Sequence, residues 1–209
     1  YQCDWSSDVC SSDLFLPKWS DTITTIKEPI PADKFVEKHL HDDNLKDMVA
    51  KDGNLYLIGH CRYSTSDLEY NQPLFHSEKS IVHNGVITQE LPENWKELYG
   101  YDCITKNDSE LVLHSEDALR EFSHMSMGVV ELSTSKKLRV YRNGKRPLYL
   151  TSLDNGVIIT STADIAKRAG LMYSVEVDMD TYLTFDSELT MMVEKVNTGN
   201  RDLQHVQQD

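Results

Sequence analysis

The sequence predicts an α+β fold in which short antiparallel strands dominate and a few helices stand apart from them. Two observations lead to this prediction. Short apolar runs are bounded by Gly, Asn and Asp turn signals, most densely in the C-terminal half. Helical spacing of apolar residues is confined to a few stretches that do not alternate regularly with these runs, which favours α+β over α/β.

The N-terminal half is predicted to contain two short helices and two strands. Pro31 suits the first turn of one helix, and a second small apolar stripe ends at Gly53. Residues 54–63 predict a buried strand, because the four residues 55–58 form an apolar run. Residues 80–82 predict a short strand that stops at Asn84-Gly85, a pair suited to a tight turn.

Two further helices and three pairs of strands are predicted between residues 107 and 196. Asn107 and Glu110 match a capping box, so one helix is expected from there through Phe122. Thr162 is expected to cap a short helix that Gly170 ends. The predicted C-terminal strands are 127–132 and 137–141 as one hairpin, 147–151 and 157–160 as a second, and 182–185 with 191–196 at the end.

Residues 1–14 are predicted to be an artefact. The segment from Asp4 to Asp13 has neither helical nor strand periodicity, and it matches the translation of a common sequencing-library adapter, GAC TGG AGT TCA GAC GTG TGC TCT TCC GAT. The alternative is a natural leader rich in Ser and Asp. If the adapter interpretation holds, one domain occupies 15–196, incomplete at its N-terminus, and 197–209 form a polar tail or linker.

Composition narrows the class of protein. The chain has 209 residues, 39% hydrophobic and 26% charged, as in a soluble globular domain. Its net charge of −13 argues against a nucleic-acid partner. No apolar run approaches the ~20 residues that cross a bilayer, and no secretory signal is recognisable, so no membrane partner is expected. Four cysteines do not suggest a disulfide scaffold, so a cytoplasmic location is expected.

Three segments place polar side chains at the ends of apolar elements. Arg62 ends the strand predicted for 54–63, and its guanidinium suits a carboxylate, although it could equally be a surface arginine. The Asn84 amide beside the Gly85 N–H is a candidate oxyanion hole, although Asn-Gly is more often a plain turn. Asp108 could pair with an ammonium group, although an acid in a first helical turn usually complements the helix dipole.

In this order and spacing, the segments resemble the class II glutamine amidotransferases, whose glutaminase domains occur in glucosamine-6-phosphate synthase and amidophosphoribosyltransferase. The resemblance covers residues 54–185. Tyr70-Asn71 departs from the family pattern, and Thr162 replaces an acid. The matching segments are Gly59-His60-Cys61-Arg62-Tyr63-Ser64-Thr65 (G-H-T-R-[WY]-[AS]-T in the family), Gln72-Pro73, His83-Asn84-Gly85 (H-N-G), Asp108-Ser109-Glu110 (D-[ST]-E), 142–148 and 159–163.

The resemblance implies a four-layer α/β/β/α sandwich of the N-terminal-nucleophile hydrolase type, missing its first strands. It implies hydrolysis of glutamine to glutamate and ammonia, with the ammonia passed to an acceptor domain or subunit. Arg62 would hold the glutamine carboxylate and Asp108 its ammonium, with Tyr63 and Thr65 lining the pocket. The Asn84 side chain and the Gly85 N–H would stabilise the oxyanion. No cofactor is implied.

The family's nucleophile is an N-terminal cysteine whose own α-amine is the general base, and it is expected to be missing from this chain. Cys61 is predicted to be buried inside a strand, where free cysteines are usually inert, and Cys103 has no suitably spaced base. The chain as given is therefore expected to be inactive.

No histidine spacing matches a zinc pattern, and no metal is expected. Two alternatives stay open for the function. One is a glutamine-binding module without catalysis. The other is an N-terminal-nucleophile hydrolase that acts on another amide.

Overall fold

The computed structural model describes residues 9–15, 22–63 and 71–199 of the chain. Within these ranges the fold is mixed α/β, with short helices and antiparallel strands. The helices are α1 (Ala32–His39), α2 (Asp42–Met48), α3 (Trp95–Tyr99), α4 (Ser109–His114), α5 (Ala118–Glu121) and α6 (Ala163–Arg168). The strands are β1 (Val9–Phe15), β2 (Thr24–Glu28), β3 (Leu57–Tyr63), β4 (Leu74–His76), β5 (Lys79–Val86), β6 (Ser126–Ser133), β7 (Leu138–Arg142), β8 (Tyr149–Leu153), β9 (Gly156–Thr160), β10 (Val175–Glu176), β11 (Thr181–Phe185) and β12 (Met191–Lys195).

The described strands form three sheets. The largest has six strands in the order β12-β11-β7-β6-β5-β4, and the two smaller sheets have the orders β2-β1-β3 and β10-β8-β9. Every pairing between these strands is antiparallel. Because most sequence neighbours in the C-terminal half pair directly, short turns suffice to connect them.

The central strands of the six-stranded sheet are buried on both faces, whereas its edge strand β12 is exposed. Val129 and Val130 are neighbours on β6, yet Val129 packs in a cluster with helical residues of α4 and α5, and Val130 packs in a second cluster. The second cluster includes Ile58 of β3 and Leu148 just before β8. This alternation follows from the two-residue period of a strand, and it explains the continuous apolar runs of the sequence.

The C-terminal half follows the sequence prediction closely. Both predicted hairpins form, as β6–β7 and β8–β9, and β11 pairs with β12. Thr162 caps α6, since its hydroxyl accepts the Ile165 N–H, and Gly170 follows the helix with φ of 79°. In the N-terminal half, α1 begins at Ala32, so Pro31 occupies the N-cap position and not the first turn, and its carbonyl oxygen accepts the Phe35 N–H at 2.9 Å.

The segment from Asp4 to Asp13 has no strand periodicity in the sequence, yet its second half belongs to a strand. β1 spans Val9–Phe15 and lies between β2 and β3, with Phe15 opposite both Thr24 and Leu57. A central strand satisfies its N–H and C=O groups on both sides through the backbone alone, so side-chain periodicity is not required. The adapter origin of residues 1–14 and the domain limits stay predictions.

The strand predicted to stop at Asn84-Gly85 continues through them. β5 reaches Val86, with Asn84 opposite Gly128 and Gly85 opposite Met127. The prediction of a tight turn is therefore wrong. The neighbouring strand β6 is long enough to pair with β5 along its whole length, and this pairing outweighs the local turn preference of Asn-Gly.

The single helix predicted from Asn107 through Phe122 is instead two helices, because α4 ends before Ser115 and α5 begins at Ala118. The capping box is also absent. The Glu110 carboxylate accepts the Ile104 and Thr105 N–H groups, not that of Asn107. The Asn107 side chain accepts the Ser109 N–H at 3.1 Å.

None of the helices in the described ranges combines the length and apolar composition that a bilayer-spanning segment needs. The four-layer α/β/β/α arrangement stays a prediction.

Candidate functional site

A cavity of ≈ 630 Å³ lies where β3, β5 and the start of α4 meet. Its lining includes His60 and Cys61 from β3, Asn84 and Gly85 from β5, and Asp108 just before α4. Residues that are far apart in the sequence therefore meet at one surface. Three of them, Asn84, Gly85 and Asp108, are candidate site residues of the sequence analysis.

Gly85 is fixed as glycine by its backbone and by its neighbours. Its φ is +152°, which L side chains rarely adopt. A Cβ atom at this position would lie 1.8 Å from the Ser126 carbonyl oxygen and 2.7 Å from His83 Nε2. Gly85 thus lets β5 approach the start of β6 closely, which holds the exposed Asn84 side chain at the edge of the cavity.

His83, which precedes Asn84, belongs to a network of buried hydrogen bonds with Gln72 and Ser109. The Gln72 amide donates to the His83 carbonyl oxygen at 2.9 Å and to the Ser109 hydroxyl at 3.1 Å. The His83 N–H donates to the Gln72 side-chain oxygen. Gln72 therefore pairs with the β5 backbone through its side chain, in the way that a neighbouring strand would.

The His83 ring continues this network. Nε2 lies 3.3 Å from the Ser126 carbonyl oxygen, which can only accept, and Nδ1 lies 2.8 Å from Ser109 Oγ. The consistent assignment is a neutral ring with the proton on Nε2 and with Nδ1 accepting from the Ser109 hydroxyl. Burial lowers the pKa of His83, and the nearby Asp108 charge raises it by less, so the ring is neutral at neutral pH.

Asp108 connects the start of α4 to the segment that follows β5. One oxygen, Oδ2, accepts the Ile87 N–H at 2.6 Å and the Thr88 N–H at 3.2 Å. The carboxylate is half-buried and lines the cavity. Its negative charge is thus held by backbone donors beside open space, where it can attract a positively charged group.

The two described cysteines differ from each other. Cys61 was predicted to be buried, and this is wrong, because it is exposed and lines the cavity. The reason is that successive side chains of a strand point to opposite faces, so Cys61 lies on the face opposite to that of the buried Ile58. Cys103 is half-buried, and burial together with the charges of Glu110 and Asp102 raises its pKa to about 12, so its thiol is protonated at neutral pH and a weak nucleophile.

The remaining predicted site residues lie partly outside the described structure. The backbones of Arg62 and Tyr63 belong to β3, opposite Cys10 and Val9 of β1, and their side chains lie outside the described part. Thr65 lies outside the described residues altogether. The structure brings Asn84, Gly85 and Asp108 together and leaves the other three residues as predictions.

The sequence analysis did not predict several of the residues that line the cavity. Thr88 and Trp95 line the cavity from the segment after β5. Tyr99 donates to the Thr88 hydroxyl at 2.8 Å, and the Trp95 indole donates to the Glu90 carbonyl oxygen at 2.9 Å. This segment has no regular period until α3, so its position against the site depends on tertiary contacts that no local pattern encodes.

A second cavity, of ≈ 510 Å³, adjoins the first and is more apolar. Phe35 of α1, Leu57 of β3 and Leu148 are part of its lining. His60, Cys61, His83 and Asn84 line both cavities. The ends of β3 and β5 thus separate a polar space from an apolar one.

Comparison with known proteins places this architecture among glutamine amidotransferase folds. Glutamine phosphoribosylpyrophosphate amidotransferase from B. subtilis, in complex with ADP and GMP, aligns with a TM-score of 0.65 at 19% identity, over 90% of this chain and 43% of that one. A structure described as the allosteric regulatory enzyme of purine biosynthesis aligns with a TM-score of 0.66 at 20% identity, again over 90% and 43%.

A third similar structure is close to this chain in length. A glutamine aminotransferase class-II domain protein from Silicibacter pomeroyi aligns with a TM-score of 0.55 at 12% identity, over 91% of this chain and 92% of that one. At these identities the likeness concerns the fold. The chain spans less than half the length of the first two enzymes. No family model matches the chain, and no curated protein matches it either.

Proposed function

We propose that this chain is the glutamine-binding part of a class II amidotransferase domain, which hydrolyses glutamine to glutamate and ammonia for an acceptor domain or subunit. The observation that carries the proposal is that Asn84, Gly85 and Asp108 line one cavity at the end of β3, the strand that contains Arg62. The similar fold of the amidotransferases supports it.

The proposed binding mode uses the two charges of an amino acid. Asp108 would pair with the α-ammonium of glutamine, and Arg62 would pair with its α-carboxylate. Tyr63 and Thr65 would line the same pocket. Since α-amino acids share both charges, these contacts would select the class of ligand, and the space beyond them would select the length of the side chain.

The proposed chemistry requires stabilisation of a tetrahedral oxyanion. A thiolate adds to the side-chain amide carbon, and the negative charge moves to the amide oxygen, where the Asn84 amide and the Gly85 N–H would donate to it. Ammonia then leaves, a thioester remains, and water releases glutamate. The base would be the α-amine of the nucleophilic cysteine, whose pKa of ~7.7–8.0 allows it to accept the thiol proton.

We infer that this nucleophile is an N-terminal cysteine other than the four cysteines of the chain. The protonated Cys103 thiol does not line the cavity. Cys61 does line it, so it is the rival candidate, and Cys61→Ala is the variant that tests it. The native coding sequence upstream of Phe15 supplies a second test, because a Cys-Gly start supports hydrolysis and a complete start without Cys, Ser or Thr favours a non-catalytic glutamine-binding module.

Calorimetric titration with glutamine tests the binding function directly. We expect the chain to bind glutamine and to release no glutamate from it. Asp108→Asn keeps an oxygen for the Ile87 and Thr88 N–H groups but removes the charge, so it should weaken binding by about 10-fold or more. Asp102→Asn is the matched control, because Asp102 is an exposed acid outside the cavity. Equal affinity in both variants contradicts the role of Asp108.

The same titration with asparagine and with simple amides tests the remaining alternative, a hydrolase that acts on an amide other than glutamine. Tighter binding of an amide without an α-ammonium would favour a hydrolase of another amide over a glutamine amidotransferase.

A further inference from the structure

A second cluster of reactive side chains lies on α4 and the loop before it. Cys103 belongs to the loop, and Glu110 and His114 lie one helical turn apart on α4. The Cys103 Sγ, one Glu110 carboxylate oxygen and one His114 ring nitrogen all lie within 4.8 Å of one another. None of the three lines the cavity of the proposed glutamine site.

The spacing of these atoms suits a shared metal ion. His114 Nε2 and Glu110 Oε1 are 3.4 Å apart. Two ligands bound at ~2.1 Å to a tetrahedral zinc ion are about 3.4 Å apart, so the pair already has the separation of two zinc ligands. Thiolate binding at ~2.3 Å requires about 3.6 Å between the sulfur and the other two ligand atoms, and the Cys103 Sγ lies within 4.8 Å of both.

The surroundings hold two of the ligands in place. The Glu110 carboxylate accepts the Ile104 N–H at 2.8 Å, the Thr105 N–H at 2.6 Å and the Thr105 hydroxyl at 2.6 Å. The His114 ring stacks on Tyr101, with 5.7 Å between the centroids, and contacts His76. Ligand carboxylates that are themselves hydrogen-bonded are usual at metal sites, because the outer contacts orient the ligand.

Burial distinguishes the cluster from an ordinary surface ion pair. The Glu110 and His114 side chains are 6% and 14% exposed, so bulk water screens their interaction weakly. Cys103 packs against the larger core cluster and is half-buried. Three donors of different chemistry thus converge at the edge of the core, with one side open to solvent.

We propose that Cys103, Glu110 and His114 bind one divalent transition-metal ion of the zinc type through a thiolate, a carboxylate oxygen and an imidazole nitrogen. Sulfur and imidazole ligands favour Zn²⁺ over Mg²⁺ or Ca²⁺, which prefer oxygen. Water occupies the fourth position. The thiol releases its proton to solvent when the metal binds. The site fastens the loop before Asp108 to α4, and it does not depend on the proposed glutaminase function.

Cobalt titration tests the site, because Co²⁺ replaces Zn²⁺ and absorbs differently with a thiolate ligand. The background protein carries Cys3→Ser, Cys10→Ser and Cys61→Ser, so that Cys103 is the single thiol. Under reducing conditions without chelator, we expect one equivalent of Co²⁺ to bind with a thiolate-to-cobalt charge-transfer band. Zn²⁺ should displace the Co²⁺ and raise the Tm.

The variants decide between a metal site and a plain ion pair. Cys103→Ser should abolish the charge-transfer band, and His114→Ala should weaken Co²⁺ binding at least 10-fold. His124→Ala, at an exposed histidine, should leave both unchanged. Thermal unfolding in EDTA verifies that each variant is folded. Absence of one-to-one binding, or binding without the band in the single-thiol protein, overturns the proposal and leaves Glu110 and His114 as an ion pair.

Discussion

His83 and Ser109 hydrogen-bond each other over 2.8 Å, from the ring Nδ1 to the hydroxyl Oγ, and this contact joins β5 to α4. Asn84 and Gly85 follow His83 directly, and Asp108 precedes Ser109. The proposed oxyanion donors and the proposed ammonium site are therefore held relative to each other by one buried contact, which Gln72 extends by donating to Ser109.

Ser109→Ala should destabilise the fold by about 1–3 kcal/mol. The substitution leaves His83 Nδ1 without its donor and the Gln72 amide without one acceptor, and both groups are buried. Urea unfolding measures the change. Ser187→Ala is the control, because Ser187 is exposed, and its stability should change by less than about 0.5 kcal/mol. A loss in Ser109→Ala of less than about 0.5 kcal/mol, as in the control, would contradict a stabilising role of these hydrogen bonds.

Because of His83, the protein should become less stable as the pH decreases below 6.5. Its pKa is 6.5 in the unfolded chain and is lowered by burial in the fold. Below pH 6.5 the unfolded state therefore binds a proton that the folded state does not. Stability that is complete above pH 6.5 is lost as the pH falls towards the folded pKa, at up to about 1.4 kcal/mol per pH unit.

The variant His83→Gln should reduce this slope between pH 6.5 and 5, whatever its effect on stability at pH 8. His124→Gln, at an exposed position, should keep the slope of the parent protein. Denaturant titrations at a series of pH values measure both. An unchanged slope in His83→Gln would mean that other groups cause the acid sensitivity.

Gly85→Ala should be among the most damaging single substitutions in the chain. The new Cβ would overlap the Ser126 carbonyl oxygen, and the backbone at φ +152° would be strained for any L residue. We expect a loss of about 3 kcal/mol or more, measured by urea unfolding. Gly156→Ala is the control, since nothing lies within 4 Å of its Cβ position, and a comparable loss there would contradict the steric argument.

The sequence predicted the elements whose pairing partners are close along the chain. The hairpins β6–β7 and β8–β9 and the cap of α6 at Thr162 depend on residues a few positions apart, which local patterns encode. β1 and the continuation of β5 through Gly85 depend on partners far along the chain. Local periodicity therefore did not predict β1, and it predicted a turn where β5 continues.

The candidate site was also predicted only in part from the sequence. Asn84, Gly85 and Asp108 could be named because the order of their motifs resembles a known family. Gln72 and Ser109 belong to the same motifs, but their hydrogen bonds to His83 become visible only when β5 and α4 are packed together. The cluster of Cys103, Glu110 and His114 follows no zinc spacing, because a loop supplies one of its ligands and a helix supplies two.

Tyr182→Phe should cost about 1–2 kcal/mol, because it removes two hydrogen bonds between β11 and the start of α5. The phenol donates to Asp117 Oδ1 at 3.0 Å and accepts the Leu119 N–H at 3.0 Å, and burial raises its pKa well above the ordinary value. Without the hydroxyl, the Leu119 N–H loses a buried acceptor. Tyr173→Phe is the control, because Tyr173 is 85% exposed. Urea unfolding should show a lower free energy of unfolding for Tyr182→Phe than for Tyr173→Phe. Equal values would mean that the Tyr182 hydroxyl does not stabilise the fold.

Arg62→Ala should weaken glutamine binding by about 1.5–3 kcal/mol, or roughly 10- to 150-fold, because it removes a charge-assisted contact to the carboxylate. In a protein that starts with the N-terminal cysteine, the loss should appear mainly in KM, since the α-carboxylate carries the same charge in the ground state and in the transition state. Arg120→Ala is the matched control, because Arg120 forms an exposed ion pair with Asp117 outside the cavity. If KM is unchanged in Arg62→Ala while Asn84→Ala lowers kcat, the oxyanion assignment stands and a different residue must hold the carboxylate.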